Sequence, residues 1–293
     1  MKPRVVITVM GMILLAAFPT GAMAQNEDDG RGRGLTIAPL RSQLGVDAGK
    51  TATGSILVTN FTSETASVTI AIEKFSVKDG TYEYLFGATD SGWIRFAGDK
   101  KFELKPNEER KVDYSVAVPD HAPSGGYYYA LLAGMDVPGS SITSELRVAS
   151  LLYVTVDGDD VSRRASVTTA SLPPVTMGPH LAYRYDAKND GNVHFNAVTY
   201  SRLKGPFFES QSESGTSILM PNTFKTLSSS VSFPVLPGIY ELEYGFKDDQ
   251  DRLVTKTASI VFVPFWSVVV AMLVTVGAGA LVRRAYRARA ART

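Results

Sequence analysis

In the segment ASVTIAIEKFSV, residues 66–77, Val68, Ile70 and Ile72 alternate with smaller or polar residues. Successive side chains of a strand point to opposite faces, so this period of two predicts a half-buried β-strand. The sequence Lys78-Asp79-Gly80 follows directly. It predicts a hairpin turn, because Asp-Gly adopts positive φ at low cost.

The same kind of pattern continues on both sides of this segment. From Leu35 onward, runs of Val, Ile, Thr, Tyr and Phe are separated by Gly, Pro, Asn and Asp. They recur at intervals of about 8–12 residues, which is typical of an antiparallel sandwich. We expect further strands at 55–60, 101–104 and 111–118. The fold class is therefore predicted to be all-β.

A corner built from Pro, Gly and Tyr occurs in each half of the chain. Pro123 and Gly126 precede Tyr127, and Pro237-Gly238 precedes Tyr240. In sandwich folds, a Tyr near the start of the sixth strand returns its hydroxyl to the backbone at the preceding corner. Two such corners predict two tandem immunoglobulin-like or fibronectin-like β-sandwiches. We place these domains at 35–156 and 163–263, with a short acidic linker at 157–162.

The beginning of the chain has the features of an export signal. Residues 1–24 combine a basic start, an apolar stretch and a final Ala22-Met23-Ala24. This combination predicts a secretory signal peptide. The polar, Gly-rich residues 25–34 are expected to form a flexible leader.

A second apolar segment, residues 264–282, stands near the other end. Its length predicts one transmembrane helix, with Trp266 as an anchor at the interface. The basic tail 283–293 follows, and Arg283 and Arg284 are expected to keep it in the cytoplasm. These features predict a single-pass membrane protein whose N-terminal domains are extracellular or periplasmic.

Composition excludes several classes of function. Lys and Arg number 30 and Asp and Glu 29, so the net charge is +1, and the tail carries much of the positive charge. The exported domains are slightly acidic, which argues against nucleic acid as a partner.

The absence of cysteine excludes disulfides, thiolate metal sites and a lipidated Cys anchor. No G-x-S-x-G, H-E-x-x-H or phosphate-loop motif occurs. We therefore predict a non-catalytic protein with no cofactor and no evident small-molecule substrate.

Metal binding finds little support in the sequence. His121, His180 and His194 do not have the spacing of metal ligands, and we expect all three in surface turns. Acidic stretches at 157–160 and 248–251 leave calcium as an alternative, although neither matches the twelve-residue calcium loop. We predict no metal site.

Aromatic residues are the best candidates for partner contact. Tyr82, Tyr84 and Phe86 share a period of two, which predicts one face of a strand. Consecutive tyrosines at 127–129 cannot all face one core, so at least one is expected at an edge or exposed. Exposed aromatic rings suit stacking on sugars or contact with a protein. The predicted partner-binding residues are Tyr82, Tyr84, Tyr127, Tyr128 and Tyr129.

The order of these pieces resembles the WxL-interacting proteins of Gram-positive bacteria. The matching pieces are the signal peptide, Leu104-Lys105-Pro106, Gly126-Tyr127, Pro237-Gly238-Ile239-Tyr240 and the span opened by Pro264-Phe265-Trp266. The resemblance implies a first domain that binds peptidoglycan and a second that meets partner proteins. This chain departs from the family in its short second domain and its Arg-rich tail.

Two functions follow from these observations. The first is a cell-surface adhesion protein whose first domain binds cell-wall polymer or another surface protein. The alternative is an accessory or chaperone-like subunit of an envelope membrane complex. Such a subunit would act by β-augmentation, in which an open sheet edge accepts a strand from a partner.

Overall fold

The computed structural model describes residues 34–89, 92–136 and 145–290. The predicted signal peptide and all but the last residue of the predicted leader lie outside the described residues. The first sandwich is built from β1 (Leu35–Ala38), β2 (Arg41–Asp47), β3 (Thr51–Asn60), β4 (Ala66–Val77), β5 (Tyr84–Gly87), β6 (Ile94–Phe96), β7 (Lys101–Leu104), β8 (Glu109–Ala117), β9 (Gly125–Asp136) and β10 (Glu145–Asp157).

Two sheets face each other across the core of the first sandwich. One has the order β1-β3-β8-β6, and the other has the order β2-β10-β9-β4-β5, with β7 also paired to β4. Neighbouring strands in these two sheets are antiparallel, except that β2 runs parallel to β10. Val58, Val116, Leu131 and Leu152 are among the fully buried residues between the sheets.

The second sandwich follows after residues 158–164. It is built from β11 (Ala165–Ser171), β12 (Val175–Thr176), β13 (His180–Asn189), β14 (Phe195–Gly205), β15 (Phe208–Leu219), β16 (Phe224–Ser232), β17 (Gly238–Lys247) and β18 (Leu253–Phe262). A sheet of order β11-β13-β16 packs on one of order β12-β18-β17-β14-β15. Tyr185, Phe195, Leu242 and Phe246 lie in the core between them.

The fold class predicted from the sequence is confirmed, since the described chain consists mainly of sandwich strands with one apolar helix near its C-terminal end. Residues 66–77 form β4, and Lys78 begins the turn that leads to β5, with Gly80 at φ +77°. Both tyrosine corners are also present. The Tyr127 hydroxyl donates to the Pro123 carbonyl at 2.8 Å, and the Tyr240 hydroxyl donates to the Leu236 carbonyl at 2.9 Å.

The C-terminal helix α1 (Phe265–Ala290) is longer than the predicted span. Its stretch from Phe265 to Ala285 is long and apolar enough to cross a membrane. The helix then continues through Arg283 and Arg284 instead of ending at Val282. Ala and Arg are among the best helix formers, which explains why the basic segment stays helical.

Candidate functional site

The outer face of the sheet that contains β4, β9 and β10 carries a second apolar cluster. Along β4, residues 66, 68 and 70 are buried in the first core, whereas Phe75 and Val77 are buried on the opposite face. In β10, Leu152 and Val154 face the core while Leu151 and Tyr153 face outward. Burial on both faces explains why β9 and β10 contain nearly continuous apolar runs.

Part of this outer face is covered by the second sandwich. Ile218 and Met220 pack against the cluster. The Tyr82 hydroxyl accepts a hydrogen bond from the Met220 backbone N–H at 2.7 Å and lies 3.1 Å from Thr223 Oγ1. The Gly126 N–H donates to the Asn192 carbonyl at 2.9 Å. The two sandwiches therefore meet through a small apolar core bordered by hydrogen bonds.

His194 belongs to this contact and is only 8% exposed. Its ring lies 4.8 Å from the Tyr153 ring and 5.6 Å from the Tyr128 ring, measured between centroids. Burial lowers the pKa of His194 to about 4, and the positive charges of Arg163 and Arg41 add to this effect. The expectation of a surface histidine was wrong for His194, because the second sandwich packs it against the tyrosines. His121 and His180 are exposed, as expected.

The uncovered part of the outer face forms an open groove of about 500 Å³. We call it the apolar groove, and it is lined by Leu40, Arg41, Tyr84, Phe86, Ala149 and Leu151. The rings of Tyr84 and Phe86 stack with centroids 6.3 Å apart and are both exposed. Leu40, just before β2, is 72% exposed. Such a concave apolar surface suits a chain with apolar side chains.

Two basic residues lie near one another beside this surface. The Arg41 guanidinium lies 5.6 Å from the centre of the Tyr153 ring, and Lys225 Nζ lies 4.8 Å from that of Tyr82. Burial lowers the pKa of Lys225, and the positive charge of Arg41 lowers it further. Within the described part of the chain, neither side chain forms a salt bridge. Their combined charge favours an anionic group at this position.

An open backbone edge also borders the groove. β10 pairs with β9 from Glu145 to Val156, but its pairing with β2 begins only at Leu151. Among the described residues, no strand pairs with the second edge of β10 at 145–150. Leu146 and Val148 on this segment pack against the first core and are only half-buried. This segment therefore combines a sheet edge that no described strand extends with incompletely covered apolar side chains.

The edge strand β15 of the second sandwich is different. Residues 209–216 are exposed and polar, with the sequence ESQSESGT. Gly215 has φ +60°, and the pairing register with β14 shifts between Val198 and Thr199. A polar, irregular edge resists pairing with another chain. The contrast identifies β10, and not β15, as the candidate edge for a partner.

The structure separates the five tyrosines that the sequence grouped as partner-binding. Tyr84 lines the apolar groove and is exposed. Tyr82 is in a turn at φ +59° and not on the strand with Tyr84, so it contacts the second sandwich instead. Tyr129 is in the core, Tyr128 contacts His194, and Tyr127 forms the corner with Pro123. These four side chains are occupied within the chain, which leaves Tyr84 as the member of the set that faces solvent.

The predicted membrane-anchor residues Trp266, Arg283 and Arg284 lie on α1 and are exposed.

Sequence reasoning missed Leu40, Arg41, Ala149 and Leu151 of the apolar groove. No local signal marks them, because β2 and β5 lie at opposite edges of one sheet and their side chains share a groove only on its folded outer face. Among the described residues, no group of three or more His, Cys, Asp or Glu side chains is placed to hold a metal ion. Asp248, from one of the acidic stretches, is buried and forms a salt bridge with Arg252 at 2.7 Å.

Comparison with known proteins gives structural similarity alone. No family model and no curated protein matches the chain. A solved structure of the class 5 fimbriae chaperone CfaA is similar at 13% identity, covering 79% of this chain and 100% of that one, with a TM-score of 0.43. The YadV chaperone is similar at 7% identity, covering 77% and 99%, with a TM-score of 0.41. A chain of the Salmonella enterica SafA pilin–SafB chaperone complex matches at 11% identity, covering 78% and 96%, with a TM-score of 0.38. The strand pairing of the chain itself defines its architecture.

Proposed function

We propose that this chain is a membrane-anchored accessory subunit of an envelope complex. In this proposal it acts like a chaperone by holding an extended segment of a partner protein, and it does so by binding without catalysis. The observation that carries the proposal is the edge of β10 beside Leu146 and Val148, where no strand among the described residues extends the sheet beyond β10.

The backbone of this edge supports β-augmentation. An unpaired strand edge presents a row of N–H and C=O groups, and a partner strand gains affinity by hydrogen bonding to them. Leu146 and Val148 alternate along it and are half-buried, so an added strand has apolar side chains to cover. Backbone pairing would then supply affinity, and contacts with alternate side chains would supply specificity.

The apolar groove and the basic residues beside it indicate which kind of segment the partner would present. The apolar groove continues from Ala149 and Leu151 on β10 to Tyr84 and Phe86 on β5. Arg41 stands at its wall, with Lys225 nearby. We infer that the bound segment is extended, carries apolar side chains, and places a carboxylate near Arg41 and Lys225. That carboxylate is either an acidic side chain or a chain terminus.

The predicted topology supports a role in the envelope. A signal peptide at residues 1–24 would direct export, and α1 has one stretch that is long and apolar enough to cross a membrane. We propose that α1 is the membrane anchor, with Trp266 at the outer interface and Arg283 and Arg284 on the cytoplasmic side. The sandwiches would then act at the outer face of this membrane.

Site-specific photocrosslinking in intact membranes tests the proposal. A photoreactive residue at Ala149 should form an adduct with a discrete partner protein, because Ala149 lies where the open edge meets the groove. The matched control is the same residue at Ser212, on the exposed polar edge β15. After purification of the adduct, amide exchange at 145–150 should be slower than in the free protein. Equal adduct formation at Ser212, or no adduct at Ala149, would contradict the proposal.

A second candidate role is binding of cell-wall polymer by the first domain, as the resemblance to WxL-interacting proteins implies. The exposed stack of Tyr84 and Phe86 favours it, since aromatic faces stack on sugar rings. Binding of cell-wall polymer would use the same groove but would not need the open edge of β10. The two roles therefore predict different effects of changes at β10 and at Tyr84.

A further inference from the structure

One end of the second sandwich is formed by four segments that contain no charged residue. They are residues 172–179, 205–208, 233–239 and 260–266. Strand pairing brings them together. Gly205 pairs with Phe208 at the tip of the β14–β15 hairpin, Gly238 pairs with Phe262, and Val175 pairs with Val261.

Large apolar side chains at this end face solvent. Phe207 is 91% exposed, Val235 is 74% exposed and Ile239 is 68% exposed. Leu236 and Met177 beside them are also exposed. We call these five residues the apolar base. The opposite end of the same sheet has a charged turn at 248–252, with the sequence DDQDR. The apolar character is therefore confined to one end of the sandwich.

The apolar base lies directly beside the start of α1. β18 ends at Phe262 and α1 begins at Phe265, so three residue steps of at most about 3.6 Å each separate them. The Trp266 indole N–H donates to the Val235 carbonyl at 3.3 Å, which ties the helix to the base. The Val263 N–H donates to the Thr176 carbonyl at 2.9 Å and fixes the connection from the other side.

We propose that the apolar base is a lipid-binding surface that inserts into the outer interface of the bilayer around α1. This inference rests on the proposed membrane anchoring of α1. Exposure of so many large apolar groups to water is unfavourable, and burial in lipid removes that cost. Interfacial elements with Phe, Leu and Trp penetrate about 5–10 Å into the boundary between headgroups and acyl chains. The short connection to α1 brings the base to this depth, because the helix begins where the hydrocarbon begins.

The absence of cysteine makes a direct test available. The single variants Phe207→Cys and Ile239→Cys would be labelled with an environment-sensitive fluorophore in the full chain, reconstituted into phosphatidylcholine–phosphatidylglycerol vesicles. Both positions are exposed, so the substitutions should not disturb the fold. Lipids with a spin label near the headgroup should quench both fluorophores strongly. A label at Gln250, in the charged turn at the opposite end, should keep its emission.

A label at Val274, in the middle of α1, separates this inference from the membrane anchor. It should be quenched by lipids whose spin label lies deep in the acyl chain. Quenching at Val274 without quenching at Phe207 and Ile239 would overturn the lipid-binding base and leave the anchor intact. Quenching at Phe207 and Ile239 without quenching at Val274 would overturn the transmembrane anchor, and with it the placement of the base around α1.

Discussion

The hydroxyl of Tyr128 accepts a hydrogen bond from the backbone N–H of His194 at 2.9 Å. This bond joins β9 of the first sandwich to the residue just before β14 of the second. Both side chains also pack against Tyr153, so the bond lies within the apolar contact between the sandwiches. The contact is therefore built from directional as well as apolar interactions.

Replacement of Tyr128 by Phe tests the contribution of this bond. The Tyr128→Phe variant keeps the ring but leaves the His194 N–H without its acceptor, which costs about 1–3 kcal/mol for a buried donor. The midpoint of urea unfolding should fall accordingly. Thr216→Val is the control, because Thr216 is exposed on β15 and loss of its hydroxyl should change the midpoint little. An unchanged midpoint in Tyr128→Phe would show that the bond adds no stability.

The stability of the protein should depend on pH through His194. Its pKa is about 4 in the folded chain and about 6.5 when unfolded, so the unfolded state binds its proton first as pH falls. Stability from this residue is complete above pH 6.5 and is lost as pH falls from about 6.5 towards 4, by up to roughly 3 kcal/mol. The free energy of unfolding, measured across this window, should decline. The decline should be smaller in His194→Gln but unchanged in His121→Gln, where an exposed histidine is replaced.

Arg41 should control binding of the partner more than it controls folding. In Arg41→Glu, a carboxylate on the bound segment would meet a like charge, so photocrosslinking from Ala149 should fall strongly. Arg95→Glu makes the same charge change at an exposed position of β6, on the other sheet of the first sandwich, and should leave the adduct yield unchanged. The unfolding midpoints of both variants should be close to that of the parent chain. Equal loss of adduct in both variants would indicate a general effect of charge.

Binding to cell-wall polymer is open to a separate measurement. If the first domain binds wall, the full chain in detergent should co-sediment with purified peptidoglycan sacculi. Tyr84→Ala should reduce the bound fraction, because it removes one ring of the exposed stack with Phe86. Thr216→Ala, at an exposed position of β15, provides the control. Recovery of the parent chain entirely in the supernatant would exclude the wall-binding role.

Local pattern was sufficient to predict the strands, the corners and the apolar helix. The alternation of apolar and polar residues around Ile70 indicates a strand with one buried face. Pro and Gly before Tyr240 indicate a corner, and the hydrogen bond that closes it joins residues only four positions apart. These features depend on neighbours in the sequence. The same reasoning could not predict the continuation of α1 through Arg283 and Arg284, because it treated positive charge as the end of the span and not as compatible with a helix.

The candidate site depended on contacts between distant residues. Tyr82 has the spacing of a strand residue relative to Tyr84, yet its partners Met220 and Thr223 lie 138 and 141 positions away. His194 was expected at the surface because it follows a turn, but packing of the second sandwich buries it. The open edge of β10 results from the chain leaving one sheet at β1 and joining the other at β2. No periodicity in the sequence indicates that the chain passes from one sheet to the other between β1 and β2.

The short passage from β18 into α1 has a mechanical consequence. With α1 held in a bilayer, a pull on the first sandwich would pass through the contact at Tyr128 and His194 and then along β18 to the helix. Two residues provide almost no slack, so the tension would reach the membrane with little stretching of the chain. The two sandwiches would then move little relative to the membrane surface. A partner strand bound to β10 would stay at a nearly constant distance from the lipid.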